Sequence, residues 1–96
     1  MTTASQTIED QARLFKMLSS TTRLAILRVL VESNGELCVN EIAEHVGTTQ
    51  SNASHQLSKL EDNEIVACVR YGQTSCYHIT DSPEAQMVRN FLKHSI

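Results

Sequence analysis

The residues best placed to do chemistry lie together in TTQSNASHQLSKL, residues 48–60. Ser51, Ser54, His55 and Ser58, flanked by Asn52 and Lys59, fall on one side of a helical repeat. Ala53, Leu57 and Leu60 recur at i, i+4 and i+7 on the other. The outer side chains are short hydrogen bonders, whereas a helix that needs only solubility favours Glu, Lys and Gln. Gln50 and Thr49 stand at the helix start, where Thr49 suits an N-cap. Asn and Gln match adenine edges, and Ser or His can go to bases or phosphates. The chemistry implied is hydrogen bonding to the edges of double-stranded DNA.

A reading helix must be held by a partner helix. EIAEHVG, residues 41–47, supplies one: Ile42, Ala43 and Val46 make an apolar stripe, and Gly47 follows where a left-handed C-cap belongs. Two helices joined by a short glycine-containing turn predict a helix-turn-helix. Upstream, residues 8–18 carry apolar residues at helical spacing. SSTT at 19–22 offers caps, and residues 22–31 are apolar nearly all round, as in a buried central helix. Asn34 and Gly35 end that helix, and Glu36 to Val39 form a short extended link. Downstream, residues 65–71 and 74–80 are β-rich around Gly72 and Gln73 and read as a hairpin. Its tip would place Arg70 and Gln73, with Lys59, on phosphates. Ser82 and Pro83 open a last helix striped by Ala85, Val88, Phe91 and Leu92.

The expected fold is therefore mainly α with a small β-hairpin, in the order α-α-α-α-β-β-α: a homodimeric winged helix-turn-helix. One domain spans residues 1–96, with dimerisation helices at about 6–18 and 82–94 lying outside the central core and residues 1–6 frayed. In a two-fold dimer the reading helices would sit about 34 Å apart and demand an inverted-repeat operator.

Composition is compatible with this. The chain has 96 residues, 41% of them hydrophobic, and a formal net charge of −3. It has no apolar run of about 20 residues for a membrane span. Acidic balance is unusual for a DNA binder, since phosphate contacts supply most non-specific affinity. The acids, however, cluster away from the reading face, at Glu9, Asp10, Glu36, Glu41, Glu44 and residues 61–64. A winged-helix protein–protein module without DNA binding is the alternative that the charge would suit. An enzyme is disfavoured, because His55 among serines lacks an orienting carboxylate and an oxyanion-forming loop. Three cysteines and an N-terminus without a basic-then-apolar leader predict a reducing cytoplasm.

From Leu14 to His94 the chain resembles the ArsR/SmtB family of small metal-responsive repressors. TTRLAILRVL, ELCVNEIAEHVG, TTQSNASHQLSKLEDNEIV and VRYGQTSCYHIT carry the resemblance. It implies a homodimer that occupies a promoter and leaves when an inducer, such as a transition-metal or metalloid ion, binds. The family's metal sites map onto this sequence in halves. Cys38 and Glu41 match one, although Asn40 stands where a second Cys is common. Asp81 and His94 match another, although Pro83 replaces a His. Neither half supplies the three or four ligands of a zinc-like ion. Read plainly, Asp81 is a helix cap, His94 suits the helix dipole and Cys38 is a small buried hydrophobe.

The other thiols, Cys68 and Cys76, lie on the two hairpin strands and are candidates for a redox or metalloid response. A three-residue loop (71–73) sets them directly opposite, with Val66 facing His78 and His78 as a third soft ligand. A two-residue loop instead sets Cys68 against Tyr77 and Cys76 against Val69.

Overall fold

A computed structural model describes residues 7–94. The frayed arm expected over residues 1–6 lies outside them. Helix α1 (Ile8–Leu18) begins at Thr7, whose hydroxyl accepts from the Asp10 N–H at 3.0 Å. Helix α2 (Thr21–Ser33) begins at Ser20 and ends at Asn34, which takes a left-handed φ of 52°. Asparagine tolerates that conformation better than other residues with a side chain. The expected extended link is in fact a strand, β1 (Leu37–Cys38). Helices α3 (Val39–Val46) and α4 (Gln50–Asp62) follow, then strands β2 (Val66–Tyr71) and β3 (Thr74–Ile79), and helix α5 (Pro83–His94).

The sheet order is β1-β3-β2, antiparallel throughout. Short as it is, β1 pairs its backbone with β3 and so ties the helix-turn-helix to the hairpin. The hairpin takes the two-residue loop, with Tyr71 opposite Thr74 and Gly72 at φ 64°. Positive φ is what a tight hairpin turn demands of a loop residue. Cys68 therefore faces Tyr77, Cys76 faces Val69, and Val66 faces Ile79 rather than His78. This overturns the register that set the two hairpin cysteines against each other.

The core is the inner face of every element. Ile26, Leu27, Leu30, Ile42, Leu57, Leu60, Ile65 and Val66 are buried together. Helix α5 belongs to this core through Ala85, Val88 and Leu92, so only part of its apolar stripe is left for a partner. Helix α1 buries Leu14 in it and packs Met17 and Leu18, half-buried, against it. What remains outside is a second apolar surface: Ile8 is 77% exposed, Phe15 68%, Phe91 56% and Met87 40%. Leu14, Phe15, Leu18, Leu24, Met87 and Phe91 line an open groove of about 420 Å³ there. Contiguous exposed aromatics of this kind mark an interaction surface.

Candidate nucleic-acid interface

The turn between α3 and α4 is built by three local devices. Gly47, at φ 75°, caps α3 in the left-handed region and donates its N–H to the Ala43 carbonyl at 2.9 Å. Thr48 donates its N–H to the same carbonyl at 3.0 Å. Thr49 then opens α4, its hydroxyl accepting from the Asn52 N–H at 3.0 Å. At the far end Glu64 takes a φ of 62°, and the Ile65 N–H donates to the Leu60 carbonyl at 3.0 Å. Thr80 and Ser82 both donate hydroxyl bonds to the Glu64 carbonyl, which pins the base of the wing to the end of the reading helix.

Helix α4 is anchored by Ala53, Leu57 and Leu60, all fully buried. Its opposite face exposes Gln50, Ser51, Ser54, His55, Ser58 and Lys59. Among the described residues, the Ser51, Ser54, His55, Ser58 and Lys59 side chains make no hydrogen bond or ion pair within the subunit, so their capacity is open to a ligand. Asn52 differs. It is half-buried, its Nδ2 donates to Thr48 Oγ1 at 2.9 Å, and its Oδ1 accepts from Gln56 Nε2 at 3.2 Å. Sequence reasoning placed Asn52 with the readers and passed over Gln56. The spacing 48, 52, 56 was the available signal, because side chains at i and i+4 meet on a helix.

Arg70 and Gln73 stand exposed at the wing, beside the exposed tip residues Gly72 and Thr74. Tyr71, also on the wing, donates its hydroxyl to the Glu36 carboxylate at 2.7 Å. That bond raises the Tyr71 pKa, and it tethers the wing to the segment ahead of β1. No acidic residue lies between Gln50 and Leu60, so Lys59 gives the reading face a local positive character on an acidic body.

The cysteines pair differently from the sequence expectation. Cys38 and Cys76 are register partners on β1 and β3 and are joined as a disulfide. Cys68 is free, half-buried and beside the Tyr77 ring. Sequence reasoning missed this bond because it did not foresee β1, and without β1 nothing brings Cys38 to the hairpin.

The metal candidates do not gather. Among the described residues no three His, Cys, Asp or Glu side chains form a cation site. The Cys38 sulfur is bound to Cys76, and the Glu41 carboxylate accepts from the Cys38 N–H at 2.9 Å as a helix cap. Asp81 and His94 stand at opposite ends of α5, separated by about 20 Å of helix within one subunit. The cap of α5 is Ser82 rather than Asp81, since Ser82 Oγ accepts from the Ala85 N–H at 3.0 Å. His94 Nδ1 meets the Asn90 carbonyl at 2.8 Å in the last turn. Within a subunit the donor set does not fit a zinc-like ion.

Comparison with known proteins agrees with this architecture. The sequence model of the arsR family of bacterial regulatory proteins matches residues 20–67. The arsenical resistance operon repressor of Staphylococcus aureus is 32% identical over 82 residues, covering 85% of this chain and 77% of the repressor. The crystal structure of the transcriptional repressor BigR from Xylella fastidiosa superposes with a TM-score of 0.77 at 33% identity, over 88% of this chain and 82% of that one. A homodimeric winged helix-turn-helix DNA-binding domain from Mycobacterium bovis superposes with a TM-score of 0.69 at 28% identity, over 94% and 83%. With a reading helix, a wing and this sequence match in one chain, the protein belongs to the ArsR family of bacterial regulatory proteins.

Proposed function

We propose that this protein is a cytoplasmic transcriptional repressor that binds an inverted-repeat operator as a homodimer and is released by an inducer. The observation that carries the reading is the outer face of α4. Five side chains with hydrogen-bonding capacity, Ser51, Ser54, His55, Ser58 and Lys59, are exposed and without a partner among the described residues, on a helix whose inner face is fully buried. A solvated helix has no need of that arrangement, whereas a helix laid in the major groove does. Gln50 and Ser51 enter the groove at the helix start, Ser54 and His55 read edges, and Lys59, Arg70 and Gln73 contact phosphates. The dimer forms through the apolar surface of α1 and α5, the size and character of which suit a second copy. The known relatives support this: the Mycobacterium bovis domain of the same fold is homodimeric.

The test uses a duplex obtained by in vitro selection with the full chain. Ser54→Ala combined with His55→Ala abolishes binding while the dimer persists. Dissociation of that variant into monomers would mean the interface is misplaced.

For the inducer, the pairing of Cys38 with Cys76 favours a thiol signal over a metal. Making that bond removes two protons and two electrons from the thiols, delivered to an oxidant of the hydroperoxide or disulfide class. The bond joins the start of α3 to the central strand of the wing, so its state bears on both DNA-contacting elements. Wild-type affinity for the operator differs at least tenfold between reduced and oxidised protein. Cys38→Ser removes the difference and Cys68→Ser keeps it. Loss of the response in Cys68→Ser alone contradicts the assignment.

A further inference from the structure

One half-buried polar chain connects the reading helix to α1, and no part of the DNA contact described above uses it. Arg23, half-buried in the first turn of α2, has no carboxylate partner among the described residues. Its Nε donates to the Met17 carbonyl at 2.7 Å, in the last turn of α1. Its Nη1 donates to Gln56 Oε1 at 2.8 Å, across a sequence separation of 33 residues. Gln56 Nε2 donates to Asn52 Oδ1 at 3.2 Å, and Asn52 Nδ2 donates to Thr48 Oγ1 at 2.9 Å.

The chain has a direction, and Arg23 sets it. A guanidinium carries only donors, so Gln56 must turn its oxygen to Arg23 and its NH₂ away. The neighbouring Asn52 must then present its oxygen to Gln56 and its NH₂ to Thr48. Both amides are thus held in one orientation by a half-buried residue of α2, outside the exposed face of α4. A bidentate contact to adenine uses the oxygen and the NH₂ of one amide together. Asn52 has already engaged both ends inside the protein.

We propose that Arg23 is a positioning residue for operator binding: through Gln56 and Asn52 it holds α4 and the α3–α4 turn at a fixed angle to the end of α1. Asn52 then supports the readers and does not read a base itself. The proposal rests on the DNA-binding reading. Because α1 carries the exposed Phe15 of the apolar surface, the relay also gives the subunit interface a rigid connection to the reading helix.

The experiment measures affinity and base preference of the full-length dimer on the selected operator and on its single-base variants. Wild-type protein is measured first, so that absence of any binding refutes the DNA-binding reading itself. Arg23→Met and Gln56→Met each weaken binding by about tenfold, the scale of one charge-assisted hydrogen bond. The double variant is no weaker than either single, because both cut the same chain. Each single variant also changes base preference at one position per half-site, where the released Asn52 amide is free to engage a base. A merely structural role would not move that profile. Arg23→Lys, which keeps the charge and a donor, recovers part of the affinity. Additive losses, an unchanged preference profile, or wild-type affinity in Gln56→Met overturns the proposal. Gln56→Met lies on the half-exposed flank of α4, so it decides the matter even if Arg23→Met fails to fold.

Discussion

Phe91 gives the dimer its sharpest test. It is 56% exposed in the isolated subunit, so of the ~200 Å² that an aromatic side chain commonly buries, about 110 Å² remains in water. Covering that area at ~25 cal/mol per Å² is worth about 2.8 kcal/mol per side chain. Alanine keeps the β-carbon, so Phe91→Ala forfeits about 2 kcal/mol per copy, and two-fold symmetry doubles this to about 4 kcal/mol per dimer. The dimer dissociation constant should therefore rise by about 1,000-fold. The loss falls on association rather than on folding, because the removed ring was outside the subunit core. Sedimentation equilibrium over a dilution series reads the constant directly, with circular dichroism to confirm that the monomer stays folded. An unchanged constant would show that α1 and α5 do not form the interface. A variant unfolded at every concentration would show that Phe91 belongs to the core instead.

Three further outcomes follow from the geometry. With Lys59 and Arg70 on phosphates, as proposed, a dimer would make four such contacts, so the slope of log affinity against log salt should be shallow, roughly −3.6, and Lys59→Ala should reduce it by about 1.8. Burial, with the Cys68 thiol next, pushes the Tyr77 phenol up to about 12 from 10.0. The folded state thus favours the neutral ring. Its stabilisation is whole below pH 10 and is lost as pH rises from 10 through 12. Over that window denaturant melts should show wild type losing on the order of 2 kcal/mol more than Tyr77→Phe. Glu64 holds φ 62° without being glycine, so Glu64→Gly should raise the unfolding free energy by up to about 1 kcal/mol, as chemical denaturation would register.

Much of the fold and of the reading face is legible in the amino-acid sequence. The stripe at Ala53, Leu57 and Leu60, the Gly47 cap, the Thr49 cap and the Ser82–Pro83 start are local signals, and local signals survive in one dimension. Pairing across distance does not. A two-residue strand at Leu37–Cys38 has too few residues for any periodicity, and Cys38 meets its partner 38 residues further on. Missing that strand concealed the Cys38–Cys76 bond. The division of the α5 stripe was equally hidden, since Val88 and Phe91 are three residues apart and differ only in what packs against them. Asn52 illustrates the same limit at the site. Its residue type suits adenine, but its side chain is bonded to Thr48 and Gln56, and Gln56 to Arg23, which is 33 residues away from Gln56 in the chain.

The central claim is that two copies of α4 read a two-fold DNA site. The most direct measurement is selection of duplexes from a random pool by the reduced, full-length protein, followed by titration of the winner at several salt concentrations. An inverted repeat with half-sites about one helical turn apart should be enriched, bound by one dimer, with binding lost in the Ser54→Ala, His55→Ala variant. Failure to enrich any sequence, or an enriched site that the double variant binds as well as wild type, would contradict it.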